Sequence, residues 1–329
     1  HLPPRAFDYY VKLIQNFWNN PDTDFTSWHI TLLKVLYKGK GDPQDPNNNR
    51  GIALKETSAK LLSIVIAQRL LKRLKQINTT SQFGHIGCQE AQHTIKRALL
   101  LRRQYGLESY AVFVDLVKAF DTVHHQLLCE ILTKYGLPPA LVQIIKKLYD
   151  NCKVKIKIGS KATEIDYTTG VHQGDNMSSV LFLFVIQAFL ETLELKAPPI
   201  VYNHFPENKN GNMNTQKGRL LSQNSKAKGT PFTFNSSFYV DDSFFLFQTK
   251  QQLEQAIIDL DEHFSRFGLI MHLGTASTKS KSEAMYFPPS LTQAKEDFDN
   301  NTFPEDIYLP GNKKIHFVNK FKYLGTIIT

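Results

Sequence analysis

Three aspartates stand out for the chemistry they could do together. Asp115 ends the apolar run "YAVFVD", and Asp241 and Asp242 sit side by side inside "SSFYVDDSFFLF", Ser236 to Phe247. Both stretches read as strands, the second as two strands flanking a turn at the aspartates. Side chains alternate across a strand, so one of the adjacent pair is expected to face the core. Burying a carboxylate is costly unless it is paired or holds a cation. If the acidic strands are neighbours in one sheet, three carboxylates converge at one edge. Such an all-oxygen group suits Mg²⁺ or Mn²⁺. Two ions about 3.5–4 Å apart can clamp the attacking and leaving oxygens of a phosphoryl transfer. Taken alone, the Asp-Asp pair reads equally well as an acidic hairpin turn.

The elements that must position these residues mix helices and strands without strict alternation, which points to an α+β fold. Phe7 to Trp18 carries a helical apolar stripe, and "WHITLLKVLYKGKGD" reads as a strand running into a basic, Gly-rich turn. Thr57 to Ile77 reads as a helix with Leu62, Ile66, Leu70, Leu74 and Ile77 on one face. Further helices are expected over Gln92–Gln104, Phe120–Tyr135, Pro139–Tyr149, Asn176–Leu195 and Gln252–Phe267, and a half-exposed strand at "KVKIKI". Residues 207–230 are rich in Asn, Lys, Gly, Ser and Gln, and read as a flexible surface insertion.

With 329 residues the chain is long enough for a large core divided into subdomains, and its formal net charge of +9 points to a polyanionic partner, nucleic acid first. Its three cysteines show neither disulfide nor zinc spacing, which suggests an intracellular protein with free thiols. The run from Val180 to Ile186 is too short to cross a bilayer, so no membrane association is expected. No signal peptide is visible and the first residue is His1, so a fragment or processed product is expected.

Seven segments, in order, resemble the reverse transcriptases of non-LTR (LINE-type) retrotransposons. "YVDD" resembles the catalytic box and "FVDLVKAFDTVHHQLL" the acidic motif before it. "LYKGKGDPQDPNNNRGIAL" resembles the fingers motif, "QFGHIGCQEAQHTI" a template-side segment and "GVHQGDNMSS" the Gln-Gly motif. "FGLIMHLGTASTKSKSEAMYF" resembles the lysine-bearing motif and "FKYLGTII" the primer grip. The resemblance implies a right-hand polymerase fold of fingers and palm, with a small antiparallel palm sheet packed on helices and no thumb within these residues. Residues 1–110 would be fingers and 111–329 palm, the latter interrupted by a fingers-like segment near 140–175.

The implied activity is RNA-directed DNA polymerisation with two Mg²⁺ ions, for which Mn²⁺ can substitute. Its partners would be an RNA template, a DNA primer and deoxynucleotides, and its compartment the nucleus. By resemblance, Asp115 and Asp241 ligate the metals and Asp242 contributes less directly. Lys38, Lys40 and Arg50 face the triphosphate, where a planar Arg fork suits phosphate oxygens; a template-backbone contact or a solvated face is the other reading. Phe120, five residues after Asp115, corresponds to the sugar gate that selects deoxynucleotides, though composition alone would make it a core residue. Gln173 and Gly174 approach the template base or the incoming nucleotide. Lys281 protonates the leaving pyrophosphate, with Lys279 as its rival, and Phe321 to Gly325 support the primer end. Lys96, Arg97, Arg102 and Arg103 contact template phosphate or simply form a solvated helix face. Asn176 and Ser179 stand where the family usually has prolines, and His172 where Arg is common, which bears on nucleotide affinity more than on the fold. A second reading is a retroelement remnant that binds nucleic acid without chemistry.

Overall fold

The computed structural model describes residues 3–20, 26–39, 41–77, 79, 81–158, 161–204, 230–275, 277–300 and 302–329. Packing divides the chain into two compact units, neither continuous in sequence: His1–Thr79, Lys118–Thr192 and Phe267–Leu269 form the first, and Thr80–Val117, Leu193–Arg266 and Ile270–Thr329 the second. Both units cross the 110/111 boundary. Of the expected insertion at 207–230, all but Thr230 lies outside the described residues.

The first unit holds α1 (Pro4–Asn19), α2 (Thr26–His29), α3 (Thr57–Ile77), α5 (His125–Lys134), α6 (Pro139–Tyr149) and α7 (Asn176–Thr192). Its sheet runs β2-β1-β4-β5, from β1 (Ile30–Tyr37), β2 (Asn49–Leu54), β4 (Lys153–Ile158) and β5 (Lys161–Asp166). The stripe expected on α3 is what packs: Leu62, Ile66, Leu70 and Leu74 are fully buried. Its partner α7 is apolar nearly all round and buried on most sides, the pattern of a central helix. Pro139 opens α6 at a position where a missing backbone N–H costs nothing.

The second unit holds α4 (Cys88–Gln104), α8 (Lys250–Arg266), α9 (Leu291–Asp299) and a six-stranded sheet ordered β11-β12-β10-β3-β9-β8. Those strands are β3 (Ser109–Val114), β8 (Ser236–Tyr239), β9 (Asp242–Phe247), β10 (Glu283–Phe287), β11 (Ile307–Leu309) and β12 (Lys313–Phe317). The four strands β8, β9, β3 and β10 pair antiparallel, while β12 adds parallel to β10. Two hairpins complete the unit: β6 (Ile200–His204) with β7 (Thr230–Phe234), and β13 (Phe321–Tyr323) with β14 (Thr326–Ile328). Phe113, Phe244, Leu246, Met285 and Tyr323 share one core with Ile95 of α4 and Ile200 of β6. Among the described residues, no helix is long and apolar enough to cross a membrane.

Two expectations need correction. The helix expected from Phe120 begins only at His125, because residues 118–122 form tight turns in which Lys118 takes φ +47°. Nor does either aspartate of the Asp-Asp pair enter the core: Asp241 is half-buried and Asp242 exposed. Strand alternation does not govern the pair because Val240 and Asp241 leave the strand as the turn, and β9 beyond them is buried on both faces from Ser243 to Phe247.

Candidate active site

In the second unit, strand register gathers the acids. β3 and β9 are antiparallel neighbours whose last described pair at this end is Val114↔Ser243. One step further along that register sets Asp115 level with Asp242. Across the β8–β9 hairpin, Tyr239 pairs with Asp242, leaving Val240 and Asp241 as a two-residue turn. Val240 has φ +60°, while Asp241 does not have a positive φ, the pattern of a type II′ turn. That first turn position normally takes Gly. A β-branched residue there is strained and persists because its surroundings hold it. The Gln82 side-chain oxygen accepts the Val240 N–H at 3.4 Å, and segment 81–83 pairs with Phe238 through Phe238 N to Ser81 O at 2.7 Å and Phe83 N to Phe238 O at 2.8 Å.

Asp115 is anchored through its backbone. Its N–H donates to Ser282 Oγ at 3.1 Å, and its carbonyl accepts the His272 N–H at 2.8 Å. The Asp242 carbonyl accepts from the Tyr323 hydroxyl at 3.5 Å, and the Leu324 carbonyl accepts from Gln92 Nε2 at 2.6 Å. The 321–328 hairpin thus backs the acidic strand, with Phe321 stacked on Phe113 at 4.1 Å between ring centroids. Lys281 is exposed and lies one residue before Ser282, its N–H directed at His272 Nδ1 at 3.3 Å. Its rival Lys279 is paired with Glu283 at 3.5 Å.

The electrostatics fit a cation. The Asp242 carboxyl is raised above its ordinary range, first by loss of hydration to the protein around it, then by Asp241 and Asp115. Three like charges within electrostatic reach, all with oxygen donors, are chemically suited to a hard divalent ion. Among the described residues, no three His, Cys, Asp or Glu side chains are already drawn together as a ligand set.

The first unit carries the residues read from sequence as facing the nucleotide. Arg50 is exposed on β2, paired with Leu36, and Lys34 opposite Ile52 adds a second cation to the same sheet face. Lys38 is exposed just past β1, its N–H donating to Asn48 O at 2.8 Å. Lys40 lies outside the described residues. The Gln-Gly loop docks on β2, with Ala53 N–H donating to Gln173 O at 2.8 Å. Gly174 has φ +100°, and a Cβ there would stand 3.0 Å from Ile52 Cγ2, so both backbone conformation and space call for glycine. Phe120 is half-buried, its ring stacked on the buried Phe182 at 4.7 Å, and its carbonyl accepts Val171 N–H at 2.7 Å. The turn bearing Phe120 is thereby tied to the segment leading into Gln173.

Sequence reasoning missed several of these supports. His172 is buried between the rings of Tyr149 and Tyr167, at 5.5 and 4.5 Å. Burial, then Lys55 and His125, push its imidazole down to about 2. Lys55 and Asp175 form a buried ion pair. Arg102, read from sequence as a template-phosphate contact or part of a solvated helix face, is instead buried, with Nε donating to Ser109 Oγ at 2.6 Å. Its guanidinium is committed inside the second unit, unlike the exposed Lys96. No spacing rule links Lys55 with Asp175 or Tyr149 with His172, because each pair joins segments that meet only through the fold.

The family described as reverse transcriptase (RNA-dependent DNA polymerase) matches residues 38–328. Among curated proteins, the Pol polyprotein of a type-1 R2 retrotransposable element from Bradysia coprophila is 25% identical over 225 residues, covering 68% of this chain and 22% of that protein. The R2 counterpart from Popillia japonica is 28% identical over 180 residues, covering 52% of this chain and 24% of its own length. A 149 kDa transposon TX1 protein from Xenopus laevis is 26% identical over 211 residues, 58% of this chain and 16% of that protein. The chain therefore spans less than a quarter of each of these relatives. A solved telomerase from Candida tropicalis, in complex with a fragment of telomeric RNA, is similar at a TM-score of 0.49 and 11% identity, over 77% of this chain and 42% of that one.

Proposed function

The chain belongs to the reverse transcriptase (RNA-dependent DNA polymerase) family, and from that premise we propose that it extends the 3′-hydroxyl of a DNA primer with deoxynucleotides while copying an RNA template. The observation that carries this reading is the β3–β9 register, which sets Asp115 level with Asp242 beside the Val240–Asp241 turn. Members of this family work with divalent metal ions; here we assign two Mg²⁺, replaceable by Mn²⁺, to Asp115, Asp241 and Asp242. When bound, the ions would neutralise charge on the attacking and leaving oxygens of the phosphoryl transfer.

The chain's own residues do the rest. The half-buried turn position of Asp241 and the anchored backbone of Asp115 make these two the principal ligands, with the exposed Asp242 secondary. Arg50, with Lys38 and Lys40, receives the triphosphate, the Arg fork matching paired phosphate oxygens. Phe120, braced by Phe182, lies under the sugar and collides with a 2′-hydroxyl. Gln173 and Gly174 offer side-chain and backbone groups to the base pair being formed. Lys281 carries the proton at Nζ that the leaving pyrophosphate takes up. We read residues 1–110 as fingers and 111–329 as palm.

The test supplies primed RNA and primed DNA templates, dNTPs or rNTPs, and Mg²⁺ or Mn²⁺. Extension with dNTPs on primed RNA is expected. Tight binding to primed template without extension under every condition would overturn the polymerase reading and leave a nucleic-acid-binding remnant.

A further inference from the structure

Lys55 and Asp175 have no part in the chemistry described so far, yet they form an ion pair of 2.7 Å with side chains only 6% and 2% exposed. Ser63 Oγ donates to the same Asp175 oxygen at 3.2 Å, and Lys55 Nζ lies 5.6 Å from the centre of the Tyr149 ring. Taking two charges out of water is expensive, and an apolar pair of similar volume often serves stability as well or better. The location suggests what the charges achieve instead. Lys55 immediately follows β2, the strand that bears Arg50, and Asp175 immediately follows Gly174. Between strand and loop there are three successive ties. Gly174 packs on Ile52, Ala53 N–H donates to Gln173 O at 2.8 Å, and Lys55 closes on Asp175. A direct charged hydrogen bond fixes direction as well as distance, which an apolar contact does not.

We infer that Lys55 and Asp175 are positioning residues. Their ion pair locks the Gln-Gly loop in register against the Arg50 strand, and so sets this chain's affinity for the incoming nucleoside triphosphate. The inference rests on the reading of Arg50 and Gln173 as nucleotide-binding residues. Neither Lys55 nor Asp175 touches the nucleotide; each acts through the segment it anchors.

The experiment compares Lys55→Met/Asp175→Leu and Arg50→Ala with the unmodified chain in primer extension, reading nucleotide KM and kcat separately, alongside thermal melting. The double substitution leaves no lone buried charge and strands only the Ser63 hydroxyl, so its melting temperature should fall no further than loss of that one hydrogen bond requires. Its nucleotide KM should nevertheless rise on the order of tenfold, the scale of a sub-ångström misplacement, with kcat within about twofold. A purely structural pair would instead leave KM unchanged in the folded double variant, and that result overturns the inference. Should the double variant not fold, Ser63→Ala gives the reading, since it removes one support of Asp175 and strands no charge. A KM rise of about two- to threefold then supports the inference, and an unchanged KM overturns it. Arg50→Ala separates the two levels. If it raises KM while the Lys55 and Asp175 double variant does not, the nucleotide reading stands and the inference falls. If Arg50→Ala leaves KM unchanged, or the unmodified chain does not extend at all, the nucleotide reading falls and the inference with it.

Discussion

Ser282 Oγ accepts the backbone N–H of Asp115 at 3.1 Å and lies 3.3 Å from the Asp115 carbonyl, so one buried hydroxyl brackets the residue that follows β3. Ser282→Ala leaves that N–H without its partner at a fully buried site. The expected cost is about 1–3 kcal/mol of stability. Because the support acts on the backbone of the carboxylate proposed as a metal ligand, single-turnover rate should fall further than stability predicts. Urea denaturation and rapid-quench extension check the two parts, and a variant that loses stability but keeps the full rate would detach Ser282 from the site.

Phe120 stacks on Phe182 with the ring planes only 16° apart, so its own ring is braced from behind. Phe120→Val removes the bulk without introducing polarity. Incorporation of rNTPs relative to dNTPs should rise about tenfold or more, the discrimination that one well-placed steric contact supplies. Unchanged ratios would place the gate elsewhere.

His172 stays neutral in the folded chain until about pH 2, while an unfolded histidine takes up a proton near 6.5. Below 6.5 the unfolded state therefore binds more protons, and stability falls as pH drops from 6.5 toward 2. The slope from this group approaches 1.4 kcal/mol per pH unit at its steepest, in round terms about a tenfold change in equilibrium per unit. His125 is shifted in the same direction, chiefly by burial, so it contributes as well. His172→Phe keeps a ring between Tyr149 and Tyr167 and should make the acid-side loss of stability shallower. Urea midpoints measured between pH 7 and 5 decide; parallel slopes for both proteins would contradict the assignment.

The two levels of organisation were not equally legible in sequence. The bounds of α3, Thr57–Ile77, follow directly from an apolar stripe at helical spacing. The strand identities of β3, β8 and β9 were equally plain, because runs such as "YAVFV" and "SFFLF" admit little else. The start of α5 was not legible, since the turns at 118–122 are fixed by the Val171 and Gly170 backbones arriving from about fifty residues later. The fate of the Asp-Asp pair turned on a turn geometry that puts Val240 where Gly is usual. Lys55 and Asp175 stand 120 residues apart, each a single charge beside a motif, and no local pattern joins them. Motif order singled out the residues proposed for the chemistry; the residues that hold them required the fold.

The central claim is that Asp115, Asp241 and Asp242 form one metal-dependent site for nucleotidyl transfer. It is tested most directly by primer extension on an RNA template with Asp241→Asn, which removes the charge while preserving the size of the side chain. Extension should be abolished in Mg²⁺ while the variant keeps its melting temperature and its binding to primed template. Full Mg²⁺-dependent extension by Asp241→Asn would contradict the account.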